Sequence, residues 1–368
     1  MIDEYTPQRP GVESVDADNL QLFCGDELPS IGTAVAIGDG DRRLFAVVRR
    51  HAGARRVDAW LPCRPDWVKP TTPIEPTGRP AGFAPPQQGP LTIDASLIRP
   101  AEPDDVLLWP EAPAYNELSG RRGVVKTDIA ALDVLAPICA GGLNLIIDQS
   151  KRCEAFFRLA SLTFDDLNPE SALYAGHRGD PAQLGDNIHW HIDAGDSLNT
   201  QIASLQLAIA ASPTLRTHRS ATAVVELPDL HPHPPSATPA QDGRRRGIAD
   251  IVARLGRHLV STDEAELTTL LLLRPPSDNP GLATIIDSLS LGDVDATLVI
   301  DEEGRLMPER SSSDAPLDDE DQQLRQQHQQ TMHLARRAAD KSAVFGDVEL
   351  TDDERRAIEE AEEFRVRV

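Results

Sequence analysis

The chain has 368 residues, 40% of them hydrophobic and 26% charged, enough for two or three domains around a sizeable core. Its 36 Lys and Arg face 59 Asp and Glu, a formal net charge of −23 that excludes nucleic-acid binding by phosphate neutralisation and repels anionic membrane surfaces. Cys24, Cys63, Cys139 and Cys153 form no C-x-x-C pair, which excludes a zinc or redox motif of that kind and leaves reduced thiols.

In chain order, residues 12–68 read as short strands bounded by Gly, Asp or Pro: Leu20–Cys24, Thr33–Ile37, Leu44–Val48 and Val57–Leu61. That spacing predicts a small N-terminal β-barrel or sandwich, of which the barrel is the one expected. Residues 69–115 are rich in Pro and Gly, a linker composition. From 116 to 315, strand signals alternate with helical ones. The strands are Leu143–Ile147, Ala172–Ala175, Ala221–Leu227, Leu267–Leu273 and Ala296–Ile300; the helices are Asp128–Leu135, Lys151–Leu162, Ser197–Ala211 and Gly247–Leu259. Such alternation predicts an α/β core, a mostly parallel sheet with helices on both faces. Residues 316–368 read as a small helical domain of two helices, 317–340 and 351–364, the second opened by a capping box with Thr351 as N-cap and Glu354 three residues on. The opening MIDEYTPQRP lacks an apolar stretch, and the longest aliphatic run, Leu270–Leu273, is too short to span a bilayer. A cytoplasmic protein is expected, peripheral to a membrane only through partners.

Three blocks in this order carry a resemblance. Glu27-Leu-Pro-Ser-Ile-Gly-Thr-Ala is similar to "LP-x-I-x-x-A". Thr127-Asp-Ile-Ala-Ala-Leu-Asp-Val-Leu-Ala-Pro followed by Gly141-Gly142 is similar to "TGIKVIDLLAP…GG". Glu349-Leu-Thr-Asp-Asp-Glu is similar to an acidic "ELSEED" turn. Together they resemble the β subunit of F-type ATP synthases. The resemblance implies a RecA-like central sheet, and a C-terminal turn, Glu349, Leu350, Asp352, Asp353 and Glu354, that touches a stalk partner. The central domain is shorter than the family's, and the chain stops soon after the acidic turn.

The nucleotide site that the resemblance implies is degenerate. Where the family's phosphate loop reads "GGAGVGKT", this chain reads Asp148-Gln-Ser-Lys-Arg-Cys-Glu-Ala155. Phosphate loops need glycines so that backbone N–H groups can point at the phosphates, a Lys for the β/γ-phosphates and a hydroxyl for magnesium. Here Cys153 stands at the last glycine, Glu154 at the lysine and Ala155 at the magnesium ligand, while Lys151 and Arg152 remain as cations. Asp148 and Glu154 are expected to repel phosphate, and the backbone cradle is expected not to form. The magnesium-linked aspartate falls on Pro228 with Asp229 beside it, the catalytic base on Gly179 or Asp180, and the adenine-stacking tyrosine on Met307. No catalysis, no cofactor and weak or absent ATP and magnesium binding follow.

Other constellations carry less. His189, His191 and Asp193 alternate at strand spacing and with His231 and His233 could hold a metal, against which stands a strand edge beside a surface loop. Arg244-Arg-Arg246 is a basic run suited to a solvated loop end. Asp39-Gly-Asp41 and the acidic run 318–321 lack calcium-loop spacing. No G-x-S-x-G or G-x-G-x-x-G occurs. The expected function is a non-catalytic, architectural or regulatory member of a rotary ATPase-type head, partnered with other head or stalk subunits. The alternatives are a nucleotide or anion sensor without hydrolysis, and an independent interaction module.

Overall fold

The computed structural model describes residues 9–16, 19–86, 90–119, 123–150, 153–164, 171–177, 188–195, 197–228, 251–274, 294–345 and 350–363. The chain forms two compact bodies. One comprises Met1–Ala112, Ala175–His177 and His189–Thr214; the other comprises Pro113–Tyr174, Arg178–Ile188 and Leu215–Val368.

The first body is built on an antiparallel sheet. Its strands are β1 (Gly11–Asp16), β2 (Asn19–Phe23), β3 (Thr33–Ile37), β4 (Leu44–Gly53), β5 (Arg56–Trp60) and β6 (Ile74–Phe83), with the short β8 (Arg99–Pro100) and β9 (Val106–Leu107); the short β7 (Leu91–Thr92) of this body lies outside that sheet. The order is β1-β2-β5-β4-β3-β6-β8, with β9 also on β6. Side chains two apart face one way along a strand. Hence Leu20 and Leu22, Val35 and Ile37, Ala46 and Val48, and Val57 and Ala59 meet in one buried cluster. The first and sixth strands meet at their starts: Gly11 bridges Pro73, Val12 N–H donates to Thr72 O at 2.9 Å and Thr71 N–H to Val12 O at 2.8 Å. The turn after β3 needs glycine, because Gly38 has φ +83 and a Cβ there would lie 2.0 Å from Arg42 O.

Part of the stretch expected as a linker, 69–115, forms strands instead, β6 to β9. Pro76 and Pro80 pair with Val35 and Thr33 across a register shift, and the Thr77 hydroxyl donates to Ala34 O at 2.7 Å. That hydroxyl supplies a donor where prolines lack the ladder N–H. Ala81, Phe83, Ile93, Ile98 and Leu108 are buried, which a linker would not allow.

Later residues also belong to the first body rather than to the expected central domain. Strand β14 (Trp190–Asp193) runs parallel to β7, with Ile192 opposite Leu91. Helix α3 (Leu198–Leu215) anchors through Gln206 Nε2, which donates to Leu108 O at 2.6 Å. It runs past its expected end because Pro213 is accommodated. The bond that Pro213 N–H cannot give to Ile209 O comes from the Ser212 hydroxyl at 2.8 Å.

The second body holds β10 (Gly123–Val124), α1 (Ala130–Leu135), β11 (Cys139–Ala140), β12 (Leu143–Asp148), α2 (Glu154–Phe164), β13 (Ala172–Gly176) as far as Tyr174, β15 (Ser220–Glu226), β16 (Glu266–Leu273), β17 (Ala296–Ile300) and β18 (Ser312–Ser313). It ends in α4 (Asp319–Phe345) and α5 (Asp352–Glu363). The sheet order is β18-β17-β12-β16-β15-β13. Strand β12 pairs in parallel with both β16 and β17, and β15 with β16; β18 is antiparallel to β17. These strands read as mostly apolar runs because they are buried on both faces. Residues 251–258 are helical ahead of β16.

Helix α2 buries Phe156, Leu159, Ala160 and Phe164 in the cluster that β12, β15, β16 and β17 line. Helices α4 and α5 share a small core of their own, Met332 and Ala335 against Ala357 and Ala361, with Ile358 half-buried. The domain expected at 316–368 is therefore a helical hairpin within the second body. Cys24, Cys139 and Cys153 are buried and Cys63 is half-buried.

Candidate functional site

In open parallel sheets, ligand sites form beyond the carboxyl ends of strands where the connections reverse direction. Here that place is the end of β12, the first strand of the sheet in sequence, which lies between the fourth, β16, and the fifth, β17. The start of β12 is fastened by buried Asn144, which accepts from Cys139 N–H at 2.7 Å and donates to Cys139 O, Gly142 O and Thr269 O.

The strand ends on Asp148, fully buried. Its Oδ1 accepts from Ser150 N–H at 2.8 Å and its Oδ2 from Phe156 N–H at 3.2 Å. Phe156 is the third residue of α2, and Cys153 O accepts the helix bond from Phe157 N–H at 3.1 Å. A carboxylate of the chain thus sits on amides that a phosphate loop would turn toward phosphate. Burial pushes the Asp148 carboxyl above its ordinary pKa, against the hydrogen bonds from Ser150 and Phe156 and the charge of Arg274 just after β16.

The oxygens of Asp148 are bound internally. Cys153, where the resemblance puts the loop's last glycine, adopts φ +53, the left-handed region that glycine favours. Glu154 is exposed on the first turn of α2, and Ala155 is buried in the core, 3% exposed, where it offers no metal ligand. Lys151 and Arg152 lie outside the described residues.

Beyond the next strand, β15 ends on Glu226, which the sequence reading passed over. It is 3% exposed and accepts a hydrogen bond from the Tyr174 hydroxyl in the middle of β13. Tyr174 is held edge-on by Phe157 of α2, ring centroids 6.3 Å apart. The available signal was a lone acid inside the apolar run Ala221–Leu227. Pro228 is buried, and β15 stops before it, as the missing N–H requires. Leu227 N–H still reaches Leu272 O at 2.8 Å.

Met307 follows β17 and is half-buried. Its N–H donates to Val299 O at 2.8 Å, and its carbonyl accepts from Arg310 N–H and the Ser311 hydroxyl. Asp148, Cys153, Glu154 and Ala155 thus share one strand–loop–helix unit, whereas Pro228 and Met307 follow strands on either side of it. Asp180 and Asp229 lie outside the described residues.

The histidine constellation is divided. His191 lies half-buried on β14, its pKa lowered by burial against the opposing charge of Asp193, and Asp193 accepts from Gly195 N–H at 3.0 Å. His231, His233 and Arg244–Arg246 lie outside the described residues. Among the described residues no group of three or more His, Cys, Asp or Glu is placed to hold a metal.

The acidic turn opens α5 with the expected capping box. Leu350 is buried at 8% exposure, and Glu354 is spent on its own helix. Glu354 Oε2 accepts from Thr351 N–H at 2.8 Å, Thr351 Oγ1 accepts from Glu354 N–H at 3.3 Å, and Lys341 Nζ of α4 lies 3.0 Å from Glu354 Oε2. The Thr351 amide, and after it Lys341, pull the Glu354 carboxyl down to about 2. Among the described acids of the turn, Asp352 and Asp353 are exposed, Asp352 with Arg355 3.8 Å away. Glu349 lies outside the described residues.

Among the described residues no helix is long and apolar enough to cross a membrane. No protein-family model matches the chain.

Proposed function

We propose that this chain is a non-catalytic relative of the F-type ATP synthase β subunit, an architectural or regulatory member of a rotary ATPase-type head. The observation that carries the non-catalytic part is the Asp148 carboxylate on the amides of Ser150 and Phe156. Phosphoryl transfer depends almost wholly on positioning and charge stabilisation of phosphate. A chain that fills its own amides with a buried acid, and puts Ala155 at the hydroxyl position, retains neither.

Kinship with that family is supported by backbone shape. Cys153 holds φ +53 at the place where the family's loop has its last glycine. The meeting of β1 with the start of β6 supports a closed N-terminal barrel. The strand order β17-β12-β16-β15-β13 supports a RecA-like sheet. On this reading the partners are other head or stalk subunits in the cytoplasm, and neither ATP nor magnesium is a cofactor.

Calorimetric titration of the full chain with ATP and magnesium tests it. The expected result is a dissociation constant weaker than about 1 mM, with no phosphate release. Micromolar binding would overturn the reading in favour of a sensor. Recovery of the chain from its native cells without any head or stalk subunit would favour an independent interaction module.

A further inference from the structure

We propose that His258 is an acid-sensitive latch on the stretch through which the chain first enters the second body, residues 113–119. His258 closes the helix 251–258 and is 3% exposed. Its Nδ1 is buried and makes no hydrogen bond. An imidazolium carries N–H on both ring nitrogens, so its Nδ1 would be a buried donor without an acceptor, on a charge stripped of water.

The seat is also electrostatically one-sided. Arg254 stands one turn earlier on the same helix, and Arg257 is the preceding residue. Arg216, just after α3, donates from Nη1 to His258 O at 2.5 Å. Glu117 acts on Arg216, whereas the charges acting on the imidazole are those of the three arginines. Burial first, and then these arginines, hold the imidazole down at about 4 against an ordinary 6.5.

The end of this helix is coupled through backbone to the entering stretch. Ser119 N–H donates to Ser261 O at 3.2 Å, Leu118 bridges Thr262, and Asp263 N–H donates to Glu117 O at 3.0 Å. The stretch is otherwise lightly held: the 3-10 turn Tyr115–Glu117 buries no residue, and Tyr115 is 91% exposed. Segments with so few buried contacts open locally at low cost. Displacing His258 therefore loosens 259–263 and, with it, the pins on 117–119.

Because the folded value lies below the ordinary one, the latch holds fully above pH 6.5 and weakens as pH falls toward about 4. One proton taken up on opening raises the open fraction by up to about tenfold per pH unit across that window. Asp148, raised by burial, acts in the opposite sense and on another segment.

Hydrogen exchange of the full chain between pH 7 and 5, corrected for the intrinsic pH dependence of exchange, tests the latch. The expected result is loss of protection at 117–119 and 259–263, approaching about tenfold per pH unit below 6.5 and ahead of any loss at β12 and α2. His258→Phe keeps a buried ring that cannot charge, and its protection there stays flat with pH. His258→Lys fixes the charge and opens the same stretches already at pH 7, while the start of α5 stays protected, a readout that does not depend on the Phe variant folding. The proposal falls if wild-type protection at these stretches is flat between pH 7 and 5, if it is lost uniformly over the second body, or if His258→Phe follows the wild-type slope.

Discussion

Two helices of the second body begin on carboxylates of their own chain, and the two acids titrate in opposite directions. At α2 the acceptor is Asp148, buried at the end of β12 and reaching forward over the loop to Phe156 N–H. At α5 it is Glu354, inside the first turn and reaching back to Thr351 N–H, its side chain 18% exposed. Both accept backbone donors, an interaction that by itself favours the ionised form. Asp148 nonetheless rises, because burial outweighs its hydrogen bonds, whereas Glu354 falls to about 2 with Lys341 beside it. Burial raises Asp148, whereas the Thr351 amide and then Lys341 lower Glu354. The comparison also separates two roles. The fully buried Asp148 fills the amides of a loop, while the partly exposed Glu354 closes a helix.

The largest break in this comparison comes from Asp148→Ala. It strands the buried amides of Ser150 and Phe156, at about 1–3 kcal/mol each. A loss of about 2–4 kcal/mol in urea unfolding is expected, with hydrogen exchange accelerated at the start of α2. A loss below about 0.5 kcal/mol would mean that the acid is not what holds the loop.

Acid titration sharpens the opposition. The folded pKa of Asp148 is raised, so the folded state takes up this proton first. Wild type therefore gains stability relative to Asp148→Asn as pH falls through the raised value toward 3.8. The folded pKa of Glu354 is lowered, so its contribution is complete above 4.5 and is lost as pH falls toward about 2. Relative to Glu354→Gln, wild type therefore loses stability over that window. Urea midpoints at several pH values should give slopes of opposite sign for the two pairs, and slopes of the same sign would remove the contrast.

Smaller effects follow at α5. Thr351→Ala removes the N-cap and is expected to cost about 1 kcal/mol, read as faster exchange confined to α5. Lys341→Met breaks a partly exposed ion pair, and a change of about 0.2–1 kcal/mol is expected, shrinking in high salt.

The contrast also marks what the sequence discloses. Thr351 and Glu354 announce their hydrogen bonds by a spacing of three, because a capping box is local and its geometry is fixed by the helix. Thr33–Ile37 and Ala296–Ile300 are likewise legible as apolar runs between Gly, Asp and Pro, and both form strands with those bounds. Strand β6 was not legible, because Pro76 and Pro80 normally mark loops and their compensation by the Thr77 hydroxyl is tertiary. The site was half legible. Loss of the glycines, lysine and hydroxyl could be read directly. That Asp148 fills the vacated amides could not, since the bond to Phe156 spans eight residues through a loop. Glu226 with Tyr174 was hidden similarly, as a partnership of residues 52 apart.

The distribution of thiols turns the molecule into its own chemical clock. Each body holds two cysteines, Cys24 and Cys63 in the first, Cys139 and Cys153 in the second. Cys24, Cys139 and Cys153 are shielded from an alkylating reagent, and burial also pushes the Cys24 thiol up to about 11. Only a thiolate exposed to solvent alkylates quickly. Mass-resolved labelling over time would therefore date the opening of each body separately: Cys24 for the antiparallel sheet, Cys139 and Cys153 for the parallel one.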